Sequence, residues 1–441
     1  MRQSYKDLWR LIVQARPATG RLLFAILLGL LSAGAMLWYP LLTQQLVDQL
    51  SAGDGIGALG WILVSVLGLG VLLGAFSSLI LARIGHEVSA TLRHRLIAKM
   101  MRLPIGYFDR SDTGERVSRV VNDCESISGL TTTQVEGLVS GILMLAGSVV
   151  ILLWLDSQLT LVLLLTLLVA FALVGPAVMK MESAAKSVQE RTAQLSGILT
   201  HVFSEIRLVK AFAAEPRERE RSREVVTGLK TQGYRLARLK IVLETIMNLA
   251  VMGALIVILV YGGMRVGRGD ISMGVLTAFI LYIFNVVGPM SQLGGFVAEL
   301  QSAKGASTRM TFILREAEEQ ANAGSLSPPP DKALVFRQTS FRYSDPGQTV
   351  LDGLDLHIEP GTTTALVGMS GSGKSTILSL VEGFYQPTSG EILYDGRPIP
   401  EYNLNAWRRS IGYVPQNSPI MPGTVRDNIA YGVERDCTDE E

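Results

Sequence analysis

The chain has 441 residues, 48% hydrophobic but only 18% charged, against roughly 25% charged in an average soluble protein. Forty Lys and Arg against 39 Asp and Glu leave a net charge of +1, which excludes a nucleic-acid binder held by bulk positive charge. Two cysteines, Cys124 and Cys437, are too few and too far apart for a disulfide framework or a zinc cluster, and they read as reduced bystanders.

Length alone suggests about three domains at roughly 150 residues each, but the hydrophobicity is concentrated. Six uncharged apolar runs occupy 22–47, 55–82, 137–155, 157–179, 245–264 and 271–298. A bilayer core needs about 20 apolar residues in a helix, so each run is long enough to span it. The first run continues well past the apolar stretch of a signal peptide, so it is read as a retained helix. These runs exclude an ordinary soluble enzyme.

The loops give the orientation. Arg2, Lys6, Arg10, Arg16 and Arg21 precede the first span, while the connections 48–54 and 156 carry no Lys or Arg. The stretch 83–136 holds eight basic residues and 180–244 holds thirteen. The positive-inside rule places these two stretches and both termini in the cytoplasm, with a multi-pass chain in the cell membrane. Arg265 and Arg268 in the last outer loop run against the rule.

Both inner stretches are nearly free of proline and read as helices. Val88, Leu92, Leu96 and Met100 recur every four residues, with Arg93, Arg95 and Lys99 between them. The stretches 116–125 and 205–212 alternate charged and apolar residues over short helical lengths. Spanning helices are therefore expected to continue into the cytosol and turn back through short cross-helices; ordinary solvated loops are the alternative.

Composition shifts after Glu299. The stretch 301–323 reads as an amphipathic helical connector, and Pro328-Pro329-Pro330 makes a semi-rigid boundary. The expected domains are a membrane domain over 1–300, a linker over 301–331 and a cytosolic domain over 332–441. In the last, short apolar strands alternate with Gly/Asp/Pro turns at 333–336, 350–351, 355–358 and 364–367.

The strand 364–367 runs into Gly368-Met369-Ser370-Gly371-Ser372-Gly373-Lys374-Ser375-Thr376, followed by an expected helix over 375–382. This is G-x-x-x-x-G-K-[ST] in its proper context. Glycines let successive backbone N–H groups turn toward a phosphate, and the helix N-terminus adds positive potential. Lys374 would reach the β- and γ-phosphates and the Ser375 hydroxyl would bind Mg²⁺. The expected cofactors are ATP and Mg²⁺.

With this motif in place, the whole chain resembles ABC exporters of the bacterial multidrug half-transporter kind. The order matches: six spans, two long inner loops, then a nucleotide-binding domain. The implied fold is multi-domain, an all-α six-helix transmembrane bundle with long cytosolic helical loops followed by a partial α/β P-loop ATPase domain. Within that resemblance Gly368 to Thr376 form the Walker A loop, and Tyr343 stands where the family places an adenine-stacking aromatic. Pro387-Thr388-Ser389-Gly390-Glu391-Ile392 with Asp395-Gly396 resembles the turn and strand that follow the phosphate-loop helix. Gln416, in Ile411-Gly412-Tyr413-Val414-Pro415-Gln416, falls in the family's glutamine loop, which implies a role on Mg²⁺ and the attacking water. Gly423 to Ile429 matches the next stretch. Leu103-Pro104, Tyr107-Phe108-Asp109 and Gly114-Glu115 resemble the first inner loop, with 118–123 as its coupling helix and 205–212 as the counterpart.

The family's signature sequence, Walker B aspartate with catalytic glutamate, D-loop and switch histidine do not occur in these 441 residues. No catalytic residue is assigned, since no carboxylate can be placed on an attacking water. The expectation is of a chain cut within its nucleotide-binding domain, binding ATP without hydrolysing it, while the complete family member would couple hydrolysis to transport. The partners implied are a second copy or a related half-transporter, a hydrophobic or amphipathic substrate and the bilayer, with no nucleic acid.

The spans contain almost no ionisable residues. They offer Gln44, Gln45, Asn248, Asn285 and Gln292 with Trp38, Tyr39, Phe279, Tyr282, Phe284 and Met290, a composition suited to amphipathic compounds. Export of drugs or other hydrophobic compounds by alternating access is the leading expectation. A lipid flippase on the same scaffold is the second, and an ATP-binding membrane protein without turnover is the reading from a different class.

Overall fold

A computed structural model describes residues 2–15, 18–53, 55–109, 113–320, 324–343, 347–416 and 419–433. Cys437 lies outside these residues, as do the side chains of Glu115 and Met290. The chain divides into two units, Met1–Arg93 with Asn122–Arg309, and His94–Val121 with Met310–Glu441.

In the first unit, five helices among the described residues are long and apolar enough to cross a membrane: Thr19–Ser51, Gly57–Met100, Arg116–Leu155, Ser157–Ser204 and Glu215–Gly267. The sixth expected span, 271–298, overlaps helix Met273–Arg315, in which the apolar stretch among the described residues is the shorter Met273–Val286. Side chains such as Leu72, Phe76, Leu161 and Leu168 are exposed, as a lipid-facing surface requires. The buried core is built from Leu37, Leu152, Leu159, Ile258, Phe279 and Tyr282. An amphipathic helix, Arg2–Gln14, precedes the first span and buries Leu8 and Leu11.

Short loops make tight connections here. Asp156 ends helix Val135–Leu155 in an extended conformation and accepts from the Leu159 backbone N–H at 2.7 Å, capping helix Ser157–Ser204. The same carboxylate takes two 2.7 Å hydrogen bonds from Arg265. Arg265, one of the two basic residues of the loop between the last two apolar runs, is thus paired with a carboxylate in its own unit. On the other side of the same loop, Ser272 and the Gly274 N–H both donate to Asp48 at 2.9 Å.

Helices do continue well past their apolar runs, since Gly57–Met100, Ser157–Ser204 and Glu215–Val257 are unbroken. The second cross-helix appears as Ile206–Ala211. The first does not lie at 118–123. Those residues belong to a continuing helix with a π-turn at Arg119–Asp123, and the separate short helix is Ile105–Asp109. Pro104 explains the difference, because it cannot continue helix Gly57–Met100 but suits the start of the next helix.

The second unit contains a four-stranded antiparallel sheet: β1 Leu334–Phe341, β2 Leu351–Ile358, β3 Ser389–Tyr394 and β4 Arg397–Pro398, in the order β2-β1-β3-β4. Phe336 and Phe341 of β1 and Ile392 of β3 meet Ile377 and Leu380 of helix Lys374–Val381 in one buried cluster. Each such fully buried large side chain contributes about 1.5–3 kcal/mol, so the sheet fixes the helix on which the phosphate motif opens. The proline run is held rather than loose: Asn403 donates its N–H to Leu326 O at 2.9 Å, and Tyr394 its hydroxyl to Pro329 O at 2.7 Å.

One expected strand is absent. Residues 362–369 have no ladder partner among the described residues, and Val367 is 92% exposed. An extended segment becomes a strand only when a neighbour completes its hydrogen bonds. Val414 and Ile420 are similarly exposed.

Candidate nucleotide site

The phosphate motif forms a compact backbone loop. Gly371 and Gly373 adopt φ of +83° and +87°, a region open to glycine at little cost. A Cβ at Gly373 would lie 2.7 Å from Leu351 Cδ2, so the position excludes a side chain on two grounds. Gly373 is the N-cap of helix Lys374–Val381, and no side chain caps that end. The first N–H groups of the helix are thus left for another acceptor.

Lys374 closes the loop. Its ammonium donates to Gly368 O at 2.9 Å, to Met369 O at 2.7 Å and to Ser372 Oγ at 3.2 Å. An ammonium has three donors and no acceptor, so it gathers these oxygens and holds positive charge where the glycines turn. Ser375 is exposed on the first turn, and Thr376 is buried beneath it. Loop conformation, uncapped helix end and lysine form a donor set that fits a phosphate, and the exposed Ser375 hydroxyl is an oxygen of the kind Mg²⁺ takes.

Tyr343 is brought to the same turn. Its hydroxyl and Thr376 Oγ1 are 2.9 Å apart. The ring makes edge contacts with Phe341 at 4.9 Å and Tyr385 at 5.1 Å, leaving it 44% exposed. Gln416 is not brought in: it is exposed in a turn, and no contact joins it to Lys374 or Ser375 among the described residues. The capping box of helix Val425–Ile429 is complete, and hydrogen bonds from the Thr424 backbone and side chain lower the Asp427 carboxyl below its ordinary value.

Residues that sequence reasoning missed lie at the far end of the phosphate-loop helix. Trp407 Nε1 donates to Val381 O at 2.7 Å, and Arg408 donates to Glu382 O at 3.1 Å and Gly383 O at 3.2 Å. A cation there also complements the helix dipole. Tyr385 donates to Asp109 of the short helix Ile105–Asp109. No local motif marks these residues, because the partners are distant in sequence. Burial raises the Glu382 carboxyl, with Arg408 partly opposing.

Of the polar and aromatic residues singled out in the spans, several are committed elsewhere. Phe279 and Tyr282 are fully buried, and Tyr282 donates to Leu37 O at 2.6 Å. Asn285 donates to Met36 O at 3.0 Å. Trp38 and Phe284 are exposed.

Residues 22–290 match the family described as ABC transporter transmembrane region, and residues 351–441 match the family described as ABC transporter. A Lactococcus lactis protein named multidrug resistance ABC transporter ATP-binding and permease protein is 33% identical over 99% of this chain and 74% of its own length. A fatty acid ABC transporter ATP-binding/permease protein of Mycobacterium tuberculosis is 31% identical over 80% of this chain and 56% of its own. A Chromobacterium violaceum ATP-dependent lipid A-core flippase is 28% identical over 100% of this chain and 76% of its own. With its apolar helices, this is a multi-pass membrane protein, and the chain belongs to the ABC transporters as an exporter-type half-transporter, one membrane region followed by one ATP-binding region.

Proposed function

We propose that the chain exports amphipathic drugs or other hydrophobic compounds, driven by ATP, as a homodimer or with a related half-transporter. The observation that carries the ATP reading is the Lys374 ammonium, held on Gly368 O and Met369 O at the mouth of an uncapped helix. On this reading the ammonium exchanges carbonyls for the β- and γ-phosphate oxygens, a shift between acceptors that needs no new cavity. Gly368, Ser370, Gly371, Ser372 and Gly373 present backbone N–H groups and Thr376 supports the turn; Ser375 would hold Mg²⁺, and Gln416 would join it only once its exposed turn moves toward Ser375. Bound Mg²⁺ would offset the negative charge of the phosphates. Tyr343, anchored to Thr376, presents its exposed ring to the adenine.

The proposed domains are 1–300 in the membrane, 301–331 as linker and 332–441 for the nucleotide, with both termini cytoplasmic. ATP favours one of two conformations of the membrane region, and release restores the other, which is alternating access. Similarity to a multidrug resistance protein over nearly the whole chain supports the substrate class. Similarity to a lipid A-core flippase favours a second reading, movement of a lipid. ATPase activity of the full-length protein in proteoliposomes separates the two. Stimulation by several unrelated amphipathic drugs is expected; stimulation by one lipid, with every drug silent, would establish the flippase instead.

A further inference from the structure

The phosphate-loop helix has two ends, and the far one is tied to the chain that leaves the membrane region. Arg408 sits there with its guanidinium forked. Nε and Nη2 donate to Glu382 O and Gly383 O, while Nη1 and Nη2 donate to the two carboxylate oxygens of Glu319 at 2.8 and 2.7 Å. Both side chains are about a quarter exposed, at 28% and 22%. The ring of Phe384 lies 5.1 Å under the guanidinium. A half-buried, bidentate, stacked pair of this kind is directional and stiff, unlike a solvent-exposed ion pair.

Glu319 follows closely on helix Met273–Arg315, the helix that contains the sixth span. Its own N–H donates to Arg102 O at 2.8 Å. The neighbouring Glu318 takes Lys99 at 3.0 Å, at the end of helix Gly57–Met100. The connector 316–320 is thus strapped on one side to the end of the second spanning helix and on the other to the phosphate-loop helix.

We infer that Arg408 and Glu319 are positioning residues that carry movement of the phosphate-loop helix into the connector of the sixth helix within the same chain. The inference rests on nucleotide binding at Lys374. The helix Lys374–Val381 is a single short rod, so a shift at its phosphate end displaces its carbonyl end by a similar amount. Arg408 holds Glu319 together with the two carbonyls that directly follow the helix, Glu382 O and Gly383 O, and transfers that displacement. Neither residue reaches the nucleotide site, and the cross-helices are not needed for this route.

Hydrogen–deuterium exchange of the whole chain in nanodiscs, with and without Mg-ATP, tests it. In the wild type, ATP should slow exchange at 374–383 and change it at 310–320 by about twofold or more. Glu319→Ala leaves the Arg408 bonds to the helix carbonyls in place. It should keep the protection at 374–383 and lose the response at 310–320. Glu319→Gln, which still accepts one hydrogen bond, should keep part of that response. A full response at 310–320 in Glu319→Ala overturns the relay. So does loss of protection at 374–383 in that variant, because the pair would then build the loop rather than transmit from it. Protection at 374–383 in the wild type with no response at 310–320 also overturns the relay and leaves nucleotide binding standing. No protection at either segment refutes nucleotide binding, and the relay falls with it.

Discussion

The Asn285 side-chain amide donates to the backbone carbonyl of Met36 at 3.0 Å. Helix Thr19–Ser51 contains Pro40, which has no N–H to offer the carbonyl four residues earlier. That carbonyl is Met36 O, so Asn285 of helix Met273–Arg315 supplies the bond that Pro40 removes. Tyr282, one turn away, donates its hydroxyl to the next carbonyl, Leu37 O, at 2.6 Å, adding to the N–H that Leu41 can still offer it. In a bilayer an unsatisfied carbonyl is costly, and the two helices are joined where the first is weakest.

Replacing Asn285 with leucine should therefore lower thermal stability by about 1–3 kcal/mol. The effect should shrink in a Pro40→Ala background, where the helix bonds its own carbonyl. A double-mutant cycle by thermal unfolding in detergent measures this; equal costs in both backgrounds would separate Asn285 from the proline.

Gly373→Ala places a Cβ at φ +87°, 2.7 Å from Leu351. The left-handed conformation alone costs roughly 1–2 kcal/mol. Nucleotide binding should fall by about tenfold, read as the affinity for a fluorescent ATP analogue.

Asp123 is nearly buried and takes 2.9 and 2.6 Å hydrogen bonds from Arg309. Asp123→Ala should destabilise the membrane unit by about 1–3 kcal/mol. Cys124 beside it is fully buried, so a maleimide should label it slowly in the wild type and faster in this variant.

Burial raises Glu382 above the ordinary value of 4.5. The folded chain then binds more protons than the unfolded chain between the two values, so stability falls as pH rises through that interval. Glu382→Gln should remove the fall, leaving the variant more stable than wild type at neutral pH. The advantage should vanish below the ordinary value, where both states are protonated. Unfolding midpoints across pH give the comparison.

Much of this architecture is legible in residue order. Apolar runs mark spanning helices because lipid admits no other spanning backbone, and the glycines with Lys374 mark a loop whose geometry is local. Less legible is whatever depends on distant partners. Residues 364–367 have a strand's composition, yet an extended segment needs a neighbour to become one. The first cross-helix falls at Ile105–Asp109 and not at 118–123, because charge alternation over 116–125 suits a long helix as well as a short one and Pro104 decides between them. Asn285 reads as a pocket amide until Pro40 is seen beside it. Arg408 and Glu319 lie 89 residues apart, and no spacing rule pairs them.

Nucleotide binding is proposed where the Lys374 ammonium closes the loop. Photolabelling of the chain in membranes with an azido-ATP analogue, wild type against Lys374→Ala, puts this to the test. The lost ammonium–phosphate bonds are worth about 1.5–3 kcal/mol, so labelling should fall about 10- to 100-fold while membrane insertion is unchanged. Equal labelling of the two proteins would mean that nucleotide does not bind at Lys374.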